Sequence, residues 1–382
     1  MASLCQTCYK LIHKLIFAGS PSQGEAIVQR SYVERSAREG CHVCTIVAFD
    51  ILTPEKPEDK DYSVRAYAPT QHGQYLLKYC VDGGPEDVVL EPIRNRDLPS
   101  PYVSLGSRST MSSDSMGKLS AWLKLCDQHK TCMSWAESNG IPRTAPTRLL
   151  ELDYYIEPPN VSLMASDRLS GQPRYATLSH CWGGQVPLRL MRSNIDTMKE
   201  SIDFQQLPRT FQECIQVTQA LEIRYLWIDC LCIIQDSEDD WQREAGLMGQ
   251  VYSNCYLNIV ESDARDGIGG LFRERDLRST SCPHIRINEE EGLLCYRDPI
   301  RTRHLDTRAW VVQERFLSPC TVHYTESLLM WECSESSTLE GLTMDVELQQ
   351  GATTLFKQHN ASIARAPISQ DKLYKFMSYG TR

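Results

Sequence analysis

Cysteines and one histidine in the first part of the chain have the spacing of metal ligands: Cys5-x-x-Cys8, Cys41-x-x-Cys44 and Cys126-x-x-His129-x-x-Cys132. Two such cysteine pairs can surround one structural zinc ion with four thiolates, and the third run can supply ligands to a second site. The competing reading is a set of half-buried free thiols on helices. The gap between the pairs is long and the flanking sequence is unlike a zinc ribbon, so both readings stay open.

A second constellation lies in the middle of the chain. Asp229 interrupts the apolar run Tyr225–Ile234, and a carboxylate there needs a partner or a solvated crevice because burying it alone is costly. At the carboxyl end of a strand in an open α/β sheet it would sit where such sheets bind ligands; otherwise it is a structural acid holding a loop or an arginine. Glu244 flanks the helical stripe Trp241, Ala245, Met248 and Tyr252, either facing a cleft or lying on a solvated face. Ser179, His180, Cys181 and Trp182 end another strand and could line the same crevice. A Ser-His dyad is disfavoured, because adjacent strand residues point to opposite faces. Arg308, Trp310, Gln313, Glu314 and Arg315 suit phosphate binding and ring stacking, so a small-molecule or nucleotide ligand is one reading. Pairing of Arg308 and Arg315 with Asp229, Asp236 or Glu314 is the other.

These residues need elements to hold them. Residues 1–50 carry helical spacing, and Tyr62–Leu90 alternates as short strands. A Ser-rich loop at Ser100–Ser115 and a helix near Lys118–Cys126 follow. Tyr175–Trp182 reads as a strand ended by Gly183-Gly184. Thr210 with Glu213 three residues on has the pattern of a capping box opening a helix after Pro208. Tyr225–Ile234 has strand length, the acidic cluster Asp236–Asp240 suits a helix amino terminus, and Tyr256–Val260 is a further strand. Thr321–Tyr324 and Leu328–Trp331 form a hairpin. Alternating strands and helices predict an α/β fold with a mostly parallel sheet flanked by helices, beside a Cys-rich α+β N-terminal region. The expected division is 1–150 for that region, 151–174 for a link, 175–333 for the α/β domain and 334–382 for a polar C-terminal tail.

Composition limits the function. The 382 residues carry 40 Lys+Arg against 49 Asp+Glu, a net charge of −9 without a long basic run, which argues against nucleic acid as the main partner. Nothing approaches the roughly 20 apolar residues of a membrane span, and no secretory signal opens the chain. A cytoplasmic location is expected, where 16 cysteines stay reduced or bind metal.

Three blocks, in order, resemble the fungal heterokaryon-incompatibility (HET) domain. They are Tyr175–Gly184 (YATLSHCWGG); the run from Leu207-Pro208-Arg209-Thr210-Phe211 through Tyr225–Asp236, Trp241, Glu244 and Met248 to Tyr252–Tyr256; and Arg308–Arg315 with Leu317-Ser318-Pro319 and Trp331-Glu332-Cys333. Small departures are Cys230 where Ser is frequent and Ala309 where Gly is frequent. The resemblance implies fungal non-self recognition and programmed cell death. HET domains are in turn remotely similar to Toll/interleukin-receptor (TIR) domains, many of which cleave NAD through a glutamate. By that analogy NAD is a substrate, Glu244 stabilises the charge formed as the nicotinamide bond breaks, Trp182 or Trp310 stacks a ring and an arginine holds phosphate. No glycine-rich dinucleotide fingerprint accompanies it. Alternatives are a non-catalytic, self-associating signalling scaffold and a HET-like enzyme of small-molecule biosynthesis.

Overall fold

The computed structural model describes residues 4–17, 24–51, 61–67, 75–81, 84–94, 107–133, 143–156, 158–169, 171–183, 188–263, 268–275, 284–297, 314–326 and 328–340. They form two compact units. One draws on Met1–Arg108, Glu274–Thr302 and Thr338–Gly351, the other on Ser109–Arg273 and Arg303–Ser337.

In the first unit the helices Gln6–Phe17, Arg30–Arg38 and His42–Ile51 accompany an antiparallel sheet of β1 (Gly24–Gln29), β2 (Asp61–Tyr67), β3 (Tyr75–Val81), β4 (Gly84–Arg94), β10 (His284–Arg286) and β11 (Glu291–Arg297). The order is β1-β2-β3-β4-β11-β10. The hairpin β10–β11 comes from far along the chain and pairs with β4, Leu293 opposite Pro92. Its turn is fixed by Asn288, whose side-chain oxygen accepts from the backbone N–H groups of Glu290 and Glu291, each at 2.8 Å. Leu11, Ile12, Val33, Val43, Ile46 and Val47 from the helices join Leu90 and Leu293 in one core.

The second unit contains β5 (Arg148–Asp153), β6 (Asn160–Ala165), β7 (Tyr175–Ser179), β8 (Tyr225–Trp227), β9 (Leu257–Glu261), β12 (Cys320–Tyr324) and β13 (Leu329–Cys333). They lie in the order β13-β12-β9-β7-β8-β5-β6. The central pairs β12–β9, β9–β7 and β7–β8 are parallel. The outer pairs β12–β13, β8–β5 and β5–β6 are antiparallel. Numbered along the chain, the parallel strands β8-β7-β9-β12 follow 2-1-3-4, an order of doubly wound sheets.

Residue alternation explains the layers. Tyr175, Thr177 and Ser179 share one face of β7, where Tyr175 donates its hydroxyl to the Val251 carbonyl at 2.6 Å and Trp227 packs edge-on against Tyr252 at 5.8 Å. That face is covered by the helix Glu238–Ser253. His180 meets Phe211 of the helix Arg209–Ala220 edge-on at 4.9 Å. His180 alternates with Ser179 along the chain, so these two helices cover opposite faces.

Several expectations change. The sheet is mixed, not mostly parallel, because β5, β6 and β13 pair antiparallel on its flanks. β5 and β6 lie partly within the expected link 151–174 and are members of the sheet, while 274–302 leaves the α/β domain for the first unit. Tyr225–Ile234 is a three-residue strand followed by a single helical turn, Asp229–Cys232. The helix at Glu238 begins as expected, with Ser237 accepting from the Asp240 N–H at 3.4 Å and three acids in the first turn. The helix after Pro208 has no capping box. Thr210 and Glu213 instead bind the segment Gly270–Phe272, Thr210 accepting from the Gly270 N–H at 3.1 Å and Glu213 from the N–H groups of Leu271 and Phe272 at 2.5 and 2.7 Å. Most of the tail expected at 334–382 lies outside the described residues, which end at 340.

Candidate functional site

β7 and β8 run parallel with Thr177 opposite Trp227, so the chain leaving each strand emerges at the same sheet edge. There the Trp182 indole N–H donates to Asp229 Oδ2 at 2.8 Å. The other oxygen of Asp229 accepts the Cys230 N–H at 2.7 Å, which holds the carboxylate at the start of its helical turn. A ring nitrogen of His180 and the Cys230 sulfur lie within 4.8 Å of the Asp229 carboxylate. Asp229 and Trp182 are half-buried, so the pair reaches both the core and the surface.

On the opposite face of β7, Thr177 and Ser179 donate their hydroxyls to Asn258 Oδ1 at 2.9 and 3.2 Å. Asn258 donates to the Glu314 carbonyl at 3.5 Å. Burial first, then the negative charges of Glu314 and Asp229, push the Tyr252 phenol well above its ordinary value. Ser179 and His180 therefore diverge, and strand alternation gives them no shared reaction partner. The region between β7 and β9, where the strand order reverses, is the part of a doubly wound sheet that receives ligands. It carries Ser179, His180 and Cys181 on one side and Glu261 and Ser262 on the other.

Glu244 belongs to a different set of contacts. It is 2 % exposed, with its carboxylate 3.6 Å from Arg148 and 3.2 Å from Arg243 Nε. Arg148 also pairs with Asp240, and its Nε donates to the Cys232 carbonyl at 2.7 Å. Asp240 accepts the Ile234 N–H at 2.8 Å. Although burial works against its ionisation, the guanidinium of Arg148 and that backbone donor hold Asp240 below the usual carboxylate range. The cluster holds the backbone at Cys232 and Ile234, in the segment that follows Asp229, and Glu244 contacts Arg148 within it. Sequence reading gave no sign of Arg148, which stands two residues after Pro146.

Arg315 forks onto Glu332, with Nε–Oε2 at 2.9 Å and Nη2–Oε1 at 2.6 Å. His323 Nε2 lies 3.1 Å from the same carboxylate. Burial opposes the charge on Glu332, yet Arg315 and His323 hold its carboxyl well below the usual range. Arg308, Trp310 and Gln313 lie outside the described residues.

In the first unit, Cys5 and Cys8 at the start of one helix meet Cys41 and Cys44 at the start of another, all four sulfurs within 4.8 Å of one another. Cys44 Sγ is 3.6 Å from both Cys5 and Cys8. Four thiolates around a tetrahedral zinc stand about 3.8 Å apart, so the cage has the dimensions of a zinc site. The Cys8 N–H donates to Cys5 Sγ at 3.5 Å, a contact that suits a ligating thiolate. Hydrogen bonds from Cys41, Cys44 and Cys8 pull the Cys5 thiol strongly down, while the same contacts and burial push Cys8 up. Such thiols cannot all ionise together unless a cation offsets their charge.

A doubly wound α/β domain with a polar constellation at the carboxyl edge of its parallel strands is the class of structure these features define. A family model described as heterokaryon incompatibility protein (HET) matches residues 175–314, so the chain carries a HET domain over that stretch, which supports a role related to heterokaryon incompatibility. The match begins at the first residue of β7 and ends at Glu314, before β12. No curated protein and no solved structure matches the chain significantly. Among the described residues, no helix is long and apolar enough to cross a membrane.

Proposed function

We propose that the chain is an effector of fungal heterokaryon incompatibility and cell death, and that its HET sheet acts on a nucleotide-type ligand, NAD by the TIR analogy, at the carboxyl edge of the parallel strands. The observation that carries this reading is the Trp182–Asp229 pair at the ends of adjacent strands in a 2-1-3-4 sheet. An indole face offers a stacking surface, and a carboxylate fixed by two donors can stabilise the positive charge that develops on a ribose as its bond to nicotinamide breaks. Asp229 takes that part, and Glu244 acts through Arg148 to hold it.

The test is nicotinamide release from NAD by purified full-length protein, run beside a fungal cell-death assay. Asp229→Asn should lose both activities while keeping the wild-type melting temperature within a few degrees. Killing that survives Asp229→Asn would move the reading to a non-catalytic, self-associating scaffold. Killing lost with no NAD cleavage in the wild type would keep the site and reject the substrate.

The cysteine cage of the first unit supports a structural zinc ion held by Cys5, Cys8, Cys41 and Cys44. Its contribution would be to fold the helical part of that unit, since binding free energy at such sites is folding free energy. Cys41→Ser should release about one equivalent of zinc.

A further inference from the structure

We propose a second zinc site, in the HET-bearing unit, formed by Cys126, His129, Cys132 and Cys333. The four ligating atoms lie within 4.8 Å of one another. His129 Nδ1 is 3.6 Å from Cys333 Sγ and 3.8 Å from Cys132 Sγ. In a tetrahedral zinc site with ordinary Zn–S and Zn–N bonds, sulfur and nitrogen ligands stand about 3.6 Å apart. The spacing therefore fits a Cys₃His centre, and all three cysteines are free thiols.

Local structure supplies the ligands from three places. Cys126 is the last residue of the helix Ser113–Cys126, His129 sits in the turn that follows, and Cys132 lies in the short helix Lys130–Met133. Cys333 ends β13. That strand end is stabilised as a thiolate ligand should be: the Ser336 N–H donates to Cys333 Sγ at 3.2 Å, and the Ser336 hydroxyl lies 3.4 Å from it. Glu335 accepts the Thr131 N–H at 3.0 Å and ties the same two segments together beside the site.

A neighbouring cysteine shows that the set is selective. Cys320 stands opposite Cys333 in the β12–β13 ladder, yet its thiol donates to the Tyr256 carbonyl at 3.0 Å. It is outside the ligand group. Indole packing of Trp122 on Trp331 at 6.2 Å brings the helix and the strand together independently of any metal, so the ligands are presented in advance.

The ion would join positions 204 residues apart, one on each side of the segment that matches the HET family. It would act as a clasp closing the domain, with its chief effect on the unfolded chain through loop closure.

Zinc content of full-length protein, purified under reducing conditions without added metal, tests the clasp. Wild type should carry about two equivalents and Cys333→Ala about one. Cys41→Ser should also carry about one, and X-ray absorption at its zinc edge should show imidazole scattering with three sulfurs. Retention of two equivalents by Cys333→Ala would overturn the site. So would a Cys41→Ser protein without zinc, or one whose zinc has sulfur neighbours alone. The absorption measurement uses a variant with all four proposed ligands intact, so it decides the matter even if Cys333→Ala fails to fold.

Discussion

Trp182 and Asp229 meet at 2.8 Å just beyond the ends of two neighbouring parallel strands, and the bond joins the first two blocks of the HET sequence. Removing only the indole donor isolates its role. Trp182→Phe keeps an aromatic face but leaves Asp229 with one donor fewer. The expected stability loss is about 0.5–1.5 kcal/mol by urea denaturation. Activity at the proposed site should fall far more than that loss explains, because the carboxylate loses its orientation. Activity equal to wild type would detach Trp182 from the site.

Arg148 links Glu244 and Asp240 to the backbone after Asp229, so its neighbours differ in what their removal costs. Arg148→Met leaves the buried carboxylates of Asp240 and Glu244 with Arg243 as their remaining cation, and we expect a loss of about 3 kcal/mol in chemical denaturation. Glu244→Gln keeps the size and a hydrogen-bonding oxygen while Asp240 still neutralises the arginine. About 1–3 kcal/mol is expected there, with activity reduced and not abolished. Complete loss of activity at unchanged stability would instead return Glu244 to a direct catalytic part.

The Arg315–Glu332–His323 group sets an acid limit. Glu332 has a depressed folded value, so its contribution is fully present above the unfolded glutamate value of about 4.3 and is lost as pH falls from there through the folded value. Urea midpoints should hold steady from neutral pH to about pH 5 as far as this group is concerned and fall below about pH 4. Arg315→Met removes the principal charge that lowers Glu332. Its acid limb should start at higher pH, and unchanged acid behaviour would discount the pair.

Two glycines give opposite expectations for the same substitution. Gly270 has φ +77°, and an added Cβ would stand 2.6 Å from Glu213 Oε2 and 2.9 Å from Arg209 Nε. Gly270→Ala should cost about 2–3 kcal/mol, combining left-handed strain with displacement of the Glu213 carboxylate from its backbone donors. Gly246 lies within the helix Glu238–Ser253 with nothing within 4 Å of a new Cβ. Gly246→Ala should raise stability by about 0.5–1 kcal/mol, measured by thermal or urea unfolding.

Much of the second unit was legible because short apolar runs bounded by turn residues can be read locally. β9 and the β12–β13 hairpin fall within two residues of where the sequence puts them, and β7 begins at Tyr175 as expected but ends at Ser179, three residues before Trp182. Tyr225–Ile234 misleads because it is buried nearly throughout, and burial on all sides erases the period that separates strand from helix. Thr210 and Glu213 mislead because a capping pattern is also a pair of acceptors, here used by Gly270–Phe272. The hairpin β10–β11 carries only short runs, and nothing near it in sequence points to β4. Cys333 as a partner of His129, and Arg148 as a partner of Glu244, depend on contacts between distant segments that no local pattern encodes.

The antiparallel pairing of β5 with β8 has a practical consequence for anyone expressing the HET segment by itself. A fragment starting at Tyr175 would lack β5 and β6, leaving the unused N–H and C=O groups of β8 open along one side. Such a bare edge recruits whatever strand it meets, including the same edge on another molecule. Fragments cut to the matched boundaries should precipitate or form mixed oligomers, whereas those that retain Arg148–Ala165 keep this side of β8 covered.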